Sequence, residues 1–168
     1  MRIEPVSPGN DRATAEFLTG WVTDGPADAW ENLASHTGGE GASLVTVRAG
    51  RVIGIVSVQW ESNYAGFRDR GIPLVHQVSV AGPARRQGVA TQLLAAAEQL
   101  ARDRGVSTLG ITVGLTDGYG PAQRLYAKLG YLPDGRGACR GRQPLPHGTQ
   151  VTMDDDVILW LTKDLTRR

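Results

Sequence analysis

LVHQVSV (Leu74–Val80) runs through a short AGP bridge into ARRQGVATQLLAAAEQL (Ala84–Leu100), a strand handing over to an alanine-rich helix through a basic turn. Such a junction aims unpaired backbone N–H groups and the positive end of the helix dipole at one point, where anions bind. Gly88 removes a side chain that would hold a phosphate off the backbone. Ala90 is nearly as small, and Arg85 and Arg86 add mobile positive charge. The chemistry suits a diphosphate. It is not the Walker pattern, because no Gly-Lys-Ser/Thr follows, and not the Rossmann fingerprint, because only one of the three glycines is present. A solvated helix start is the alternative for the same residues.

Working outward, the helix is expected from about Arg86 to Arg104, with Gly105 as its stop. Val89, Leu93, Ala97 and Leu100 fall on one face and Gln92, Glu98, Gln99 and Arg102 on the other. Alternation along the strand puts Leu74, His76, Val78 and Val80 on one face and Val75, Gln77 and Ser79 on the other. Upstream, SLVTVRAGRVIGIVSVQW forms a hairpin turning at Ala49-Gly50. Before it come a short strand, MRIEPV, and two helices between Asn10 and Thr37 that break at Gly25-Pro26. Asp24 is placed to cap the second helix and Gly38-Gly39 to end it. Downstream come the strand STLGITVGL and the short helix GPAQRLYAKLG, with Pro121 near its first position and Gly130 past its end. A stretch rich in Pro, Gly and Arg from Pro133 to Thr149 reads as an irregular loop or a ragged hairpin, and VILWLTKDL closes as a strand. Strands and helices intermixed with a hairpin make the class α/β or α+β with a mixed sheet.

The 168 residues are read as one domain, 1–168, long enough for a real core. No apolar run has membrane-spanning length, and MRIEPVSPGND lacks the charged-then-apolar order of a secretory signal. The single cysteine, Cys139, excludes an internal disulfide and suits a reducing cytoplasm. A formal charge of +1 without a concentrated basic face argues against nucleic acid.

RRQGVA (Arg85–Ala90) resembles the Arg-x-x-Gly-x-Gly/Ala loop of the GCN5-related N-acetyltransferases, or GNAT family. Further on, RLYAKLGY (Arg124–Tyr131) resembles that family's Leu-Tyr-x-x-x-Gly-Phe/Tyr signature. The two motifs stand in the family's order and on fitting elements. The likeness is close from Ile72 to Tyr131 and loose over the hairpin and the closing strand. It implies a mixed, mostly antiparallel sheet flanked by helices and splayed between its fourth and fifth strands. It also implies direct acetyl transfer from acetyl-CoA to an amine, with no covalent enzyme intermediate. The diphosphate of acetyl-CoA would lie on Arg85, Arg86, Gln87, Gly88, Val89 and Ala90, and the pantetheine arm beside Val78, Ser79 and Val80. Tyr126 maps onto the family's usual donor to the departing CoA sulfur. A phenol titrates near 10 and a thiol near 8.5, so full proton transfer is uphill by roughly 2 kcal/mol. Tyr126 therefore fits a hydrogen-bond donor to the developing thiolate. It also belongs to an apolar stripe with Ala122, Leu125 and Leu129, which would face the core in any case.

The chain departs from the family in two places. Tyr119 stands where an asparagine often contacts the pantetheine, and LVHQV carries no carboxylate where many relatives keep a base. His76, with a free pKa near 6.5, is the candidate substitute, and water relays to backbone carbonyls are the alternative. The missing acid keeps a second class open, a domain that senses acyl-CoA with little catalysis. For an acceptor, a small-molecule or peptide amine, the candidate walls are Trp21, Trp30, Trp60, Tyr64 and Phe67, with plain packing as the equal alternative for each. Glu31, Glu61 and Asp69 are the acids that would greet a cationic amine, and ESNYAGFRDRGIP is long enough for a lid. Asp154-Asp155-Asp156 points to alternating sides and lacks His or Cys partners, so it reads as a strand lead-in and no metal is expected. Arg136, Arg140 and Arg142 read as a solvated loop, or as contacts to the nucleotide phosphate or to an acidic acceptor, and nothing nearby in sequence activates Cys139. The apolar closing strand offers an edge for a homodimer.

Overall fold

Two β-branched runs, β2 (Gly41–Arg48) and β3 (Arg51–Gln59), fold back on Ala49 and Gly50. Both turn residues take positive φ, 50° and 74°, which a two-residue hairpin needs to match the twist of its strands. The chain is described by a computed structural model over residues 1–35 and 39–167, leaving aside the side chains of residues 26, 30, 32 and 35. The Trp30 ring and the Gly38 stop of the second helix lie outside the described residues.

Around the hairpin stand β1 (Arg2–Pro5), α1 (Asp11–Trp21), α2 (Pro26–Ser35), α3 (Ala65–Arg68), β4 (Leu74–Val80), α4 (Val89–Asp103), β5 (Thr108–Gly114) and α5 (Gly120–Lys128). Three two-residue strands follow, β6 (Leu132–Pro133), β7 (Cys139–Arg140) and β8 (Gln143–Pro144), then β9 (Val157–Asp164). The sheet runs β1-β2-β3-β4-β5-β9-β7-β8 with β6 also beside β9, and only β4 and β5 pair in parallel. This is the mixed, mostly antiparallel sheet the motifs implied. Gly25 rather than Asp24 opens α2, since its carbonyl accepts from Ala29 N–H at 3.0 Å and leaves Pro26 as the first helical residue. Among the described residues, no helix is long and apolar enough to cross a membrane.

Adjacent β3 residues Ile55 and Val56 point to opposite faces and both are sealed from solvent, so β3 is covered on both sides. α4 packs on β2, β3 and β4. A Cβ on Gly54 would stand 3.0 Å from both Leu93 and Val89, so glycine is what lets the helix come this close. Leu93 and Leu94 are wholly buried there, each worth about 1.5–3 kcal/mol.

Two expectations fail on α4. It begins at Val89 rather than Arg86, because Arg86 and Gly88 hold positive φ (59° and 79°), outside right-handed helical geometry. Glu98, assigned to the polar face, is buried, because β9 brings Lys163 Nζ to 2.7 Å from both of its oxygens.

The feature that positions the site is the parting of β4 from β5. They pair only at Leu74↔Gly110 and Val75↔Ile111, and then diverge. On its other side β4 pairs Gln77 with Ser57 and Val75 with Val58, so His76 is an extra residue, a β-bulge. The bulge overturns the expected alternation. Cross-strand partners share a face, so Val75, Val78 and Val80 lie together, opposite Leu74, Gln77 and Ser79.

Candidate active site

The turn into α4 forms one wall. The first helical turn leaves the N–H groups of Val89, Ala90 and Thr91 without intrahelical partners, the earliest helical bond being Gln92 N–H to Gly88 O at 3.1 Å. Arg85, Arg86, Gln87 and Gly88 are exposed. The Val89 side chain is in the core, so only its backbone faces the turn. Arg86 holds a left-handed backbone that costs a side-chain-bearing residue roughly 1–2 kcal/mol. Gln87 is pinned at both ends of its amide: Nε2 donates to Pro83 O at 2.7 Å, and Oε1 accepts from Arg48 Nη1 at 2.9 Å. Arg85 folds back, its Nε donating to Val80 O at 3.1 Å, so one β4 carbonyl already has a donor. Arg48 was missed from the sequence, since only the hairpin's register brings it to the turn.

Beside the turn, the edge of β4 from His76 to Val80 has no β5 strand across from it. Backbone groups left this way need partners, and an extended amide-bearing ligand supplies them. His76 stands at the bulge with its side chain exposed to solvent. The protein around it nonetheless penalises charge: partial burial lowers its pKa below 6.5, which favours the neutral imidazole at pH 7. Past the bulge, Gln77 Oε1 is buried without a hydrogen-bond partner among the described residues, an open place for an N–H. Sequence alternation had grouped Gln77 with Val75, and only the bulge reveals it.

On the β5 side of the parting, α5 is tied to the end of β5 by Gln123 Nε2 donating to Gly114 O at 2.8 Å. Tyr126 is the buried residue of this helix, and its ring lies 6.1 Å from that of Tyr131. Its hydroxyl bonds to no other described residue. Burial first, and the nearby Tyr119 second, push its pKa up to about 12. Against a thiol near 8.5, that makes full transfer uphill by about 5 kcal/mol rather than roughly 2. Tyr126 can donate a hydrogen bond, and it holds its proton. The Tyr119 ring lies where a side chain on Gly114 would be. Its own pKa is raised, by burial and then by the Asp155 carboxylate it meets.

The aromatic residues expected as one acceptor wall separate. Trp21 lies against Gly82 by the turn, whereas Trp60 lies under the Arg104 guanidinium at 4.2 Å. Tyr64 and Phe67 instead pack on Trp160, at 4.4 and 5.2 Å between ring centroids. Phe67 fills the space that a side chain on Gly110 would need, which anchors the segment read as a lid. Arg136 stacks on Tyr64 at 4.1 Å and pairs with Asp134 at 2.9 Å, and Arg140 pairs with Asp154 at 3.2 Å. These arginines are engaged inside their own loop. Glu31, Glu61 and Asp69 are exposed. Burial pushes the Cys139 thiol up, so it stays protonated.

Comparisons with known proteins follow this geometry. A family model described as the Acetyltransferase (GNAT) family matches residues 10–131. Aminoglycoside 6'-acetyltransferase type Ii has the same fold, with a TM-score of 0.73 at 18% identity over 100% of this chain and 99% of that one. An aminoglycoside 6'-N-acetyltransferase solved with coenzyme A gives 0.70 at 17% identity, over 100% and 99%. Ribosomal-protein-alanine N-acetyltransferase from Brucella melitensis gives 0.72 at 20% identity, over 98% and 99%. No curated protein sequence matches significantly. At these identities the solved structures speak for the fold, while the family model spans most of the sequence, both the glycine turn and the tyrosine helix included. This chain belongs to the GNAT family of acetyltransferases, and its chemistry is acyl transfer.

Proposed function

We propose that the protein transfers an acetyl group from acetyl-CoA directly to a primary amine of a small molecule or a peptide. The observation that carries this reading is the juxtaposition of two open features. β4 leaves β5 after two residue pairs, and its unpaired stretch ends at a helix start with free N–H groups. The first suits an extended pantetheine arm and the second a diphosphate. The solved neighbours act on an aminoglycoside and on a ribosomal protein, which spans both kinds of amine.

In this reading Arg85, Arg86, Gln87, Gly88, Val89 and Ala90 seat the diphosphate, Val89 and Ala90 through their backbone. Val78, Ser79 and Val80 offer the edge of β4 to the pantetheine, with Tyr119 at the end of β5. The amine nitrogen bonds to the acetyl carbon as the carbon–sulfur bond breaks. Tyr126 steadies the negative charge on sulfur with its hydrogen bond. His76, or water held by the strand, takes the proton the amine loses.

The test is CoA-thiol release from acetyl-CoA over a broad amine panel, with Tyr126→Phe run alongside. One amine class should support release, and the variant should lose about 10²-fold in turnover while binding acetyl-CoA as before. Acetyl-CoA binding with silence across the whole panel would favour the second reading, an acyl-CoA sensor, which the lack of a carboxylate on β4 supports.

A further inference from the structure

The tip of the β2–β3 hairpin carries cations that the protein leaves uncompensated. Arg48 and Arg51 are cross-strand partners on either side of Ala49-Gly50, and like charges placed so destabilise a hairpin. Among the described residues no carboxylate lies within ion-pair distance of Arg48, Arg51, Arg85 or Arg86. Elsewhere the chain pairs its buried and half-buried cations, Arg136 with Asp134, Arg140 with Asp154 and Lys163 with Glu98. Gly54 pairs with both Thr46 and Val80, so Arg51 and Arg48 lie beyond the level at which β4 ends. From there Arg48 Nη1 reaches Gln87 Oε1 at 2.9 Å, while its Nη2 meets only Met1 Sδ at 3.6 Å, a weak acceptor.

We propose that Arg48 and Arg51 bind the 3′-phosphate of CoA, which makes this hairpin a specificity element. The inference rests on the CoA reading above. Arg48 is bonded to Gln87 of the turn that would seat the diphosphate, so a further phosphate on the same ligand comes within reach of the hairpin tip. A phosphate monoester there is a dianion with several acceptor oxygens, and an arginine pair matches it in both charge and fork geometry. Binding it relieves the repulsion between the two arginines.

The experiment is calorimetric titration of CoA and of 3′-dephospho-CoA into the full chain, Arg48→Gln and Arg51→Gln. The parent chain should prefer CoA by about tenfold. Each variant should weaken CoA by about three- to tenfold, and Arg51→Gln, which leaves Gln87 pinned, should leave 3′-dephospho-CoA unchanged, so that the preference collapses. Unchanged 3′-dephospho-CoA affinity also shows that the variant is folded. Arg51 makes no bond to Gln87, so its loss does not act through the turn. Equal weakening of both ligands by Arg51→Gln, or of neither, overturns the 3′-phosphate assignment alone. A parent chain that binds neither ligand overturns the CoA reading beneath it.

Discussion

The two ends of α4 face opposite problems. At its start Arg86 and Gly88 sit in left-handed backbone, the first-turn N–H groups have no intrahelical partners, and among the described residues no carboxylate pairs with Arg85 or Arg86. Toward its other end Glu98 is buried and saturated. It accepts from Lys163 Nζ at 2.7 Å through both oxygens and from Tyr131 OH at 3.1 Å, and Arg102 Nη2 stands 3.5 Å away. The sheet repeats the contrast. β5 pairs with β9 from Thr108↔Asp164 without a break to Gly114↔Ile158, but with β4 only twice. Polar groups that nothing satisfies are costly, so a fold concentrates them where a ligand will complete them. The closed end supplies the stability that the open end spends.

The hardest way to break this comparison is at Glu98. Glu98→Ala leaves the Lys163 ammonium half-buried without its carboxylate and should cost about 3–5 kcal/mol. Urea unfolding measures it, and a loss below about 1 kcal/mol would erase the contrast. The open end predicts the reverse pattern. Tyr126→Phe, which costs about 10²-fold in turnover, keeps the buried ring and should shift the unfolding free energy by only about 0.5 kcal/mol.

His76 sharpens the comparison through pH. Its pKa is lowered by burial, so with His76 as base kcat/KM rises through a midpoint below 6.5 and levels off above it. His76→Ala should remove that limb and cost about tenfold or more at pH 7. An acidic limb identical in the variant would exclude the imidazole and leave water relays. The sign for stability is fixed as well. Below 6.5 the unfolded chain protonates His76 before the native state does, so stability falls between 6.5 and the lowered native pKa. His76→Ala should flatten the stability profile in that window.

The sequence made legible what local pattern carries. The hairpin, the helices α1, α2 and α5, and both motif segments appear where periodicity and glycine placement put them, while α4 starts three residues late and α3 stands in a stretch read as a loop. What it hid was decided by pairing. A period-2 alternation through Leu74-Val75-His76-Gln77 is consistent with either register, and only the β3 partner makes His76 the extra residue. Glu98 has the residue type of a solvent face. Its burial depends on Lys163, 65 positions away on a strand whose alternation gives no sign of an ion pair. Arg48 and Gln87, 39 positions apart, meet for the same reason. Trp160 looked like an ordinary strand residue until α3 delivered Tyr64 and Phe67 onto it.

Arg86 offers the smallest effect and the most direct test of the contrast, because two measurements should move in opposite directions. At φ 59° the backbone strain of a side-chain-bearing residue is roughly 1–2 kcal/mol, and glycine removes it. Glycine also loosens the unfolded chain, which takes back about 0.4–1 kcal/mol. Arg86→Gly should therefore stabilise the protein by about 0.5 kcal/mol, read as a rise in unfolding midpoint. Loss of the guanidinium should at the same time weaken acetyl-CoA binding by about two- to fivefold. A protein that becomes more stable as it binds less well is one whose open end holds strain on behalf of its ligand. If stability and affinity fall together, the left-handed Arg86 is a structural necessity of the turn, and the division of labour along α4 is less sharp than its two ends suggest.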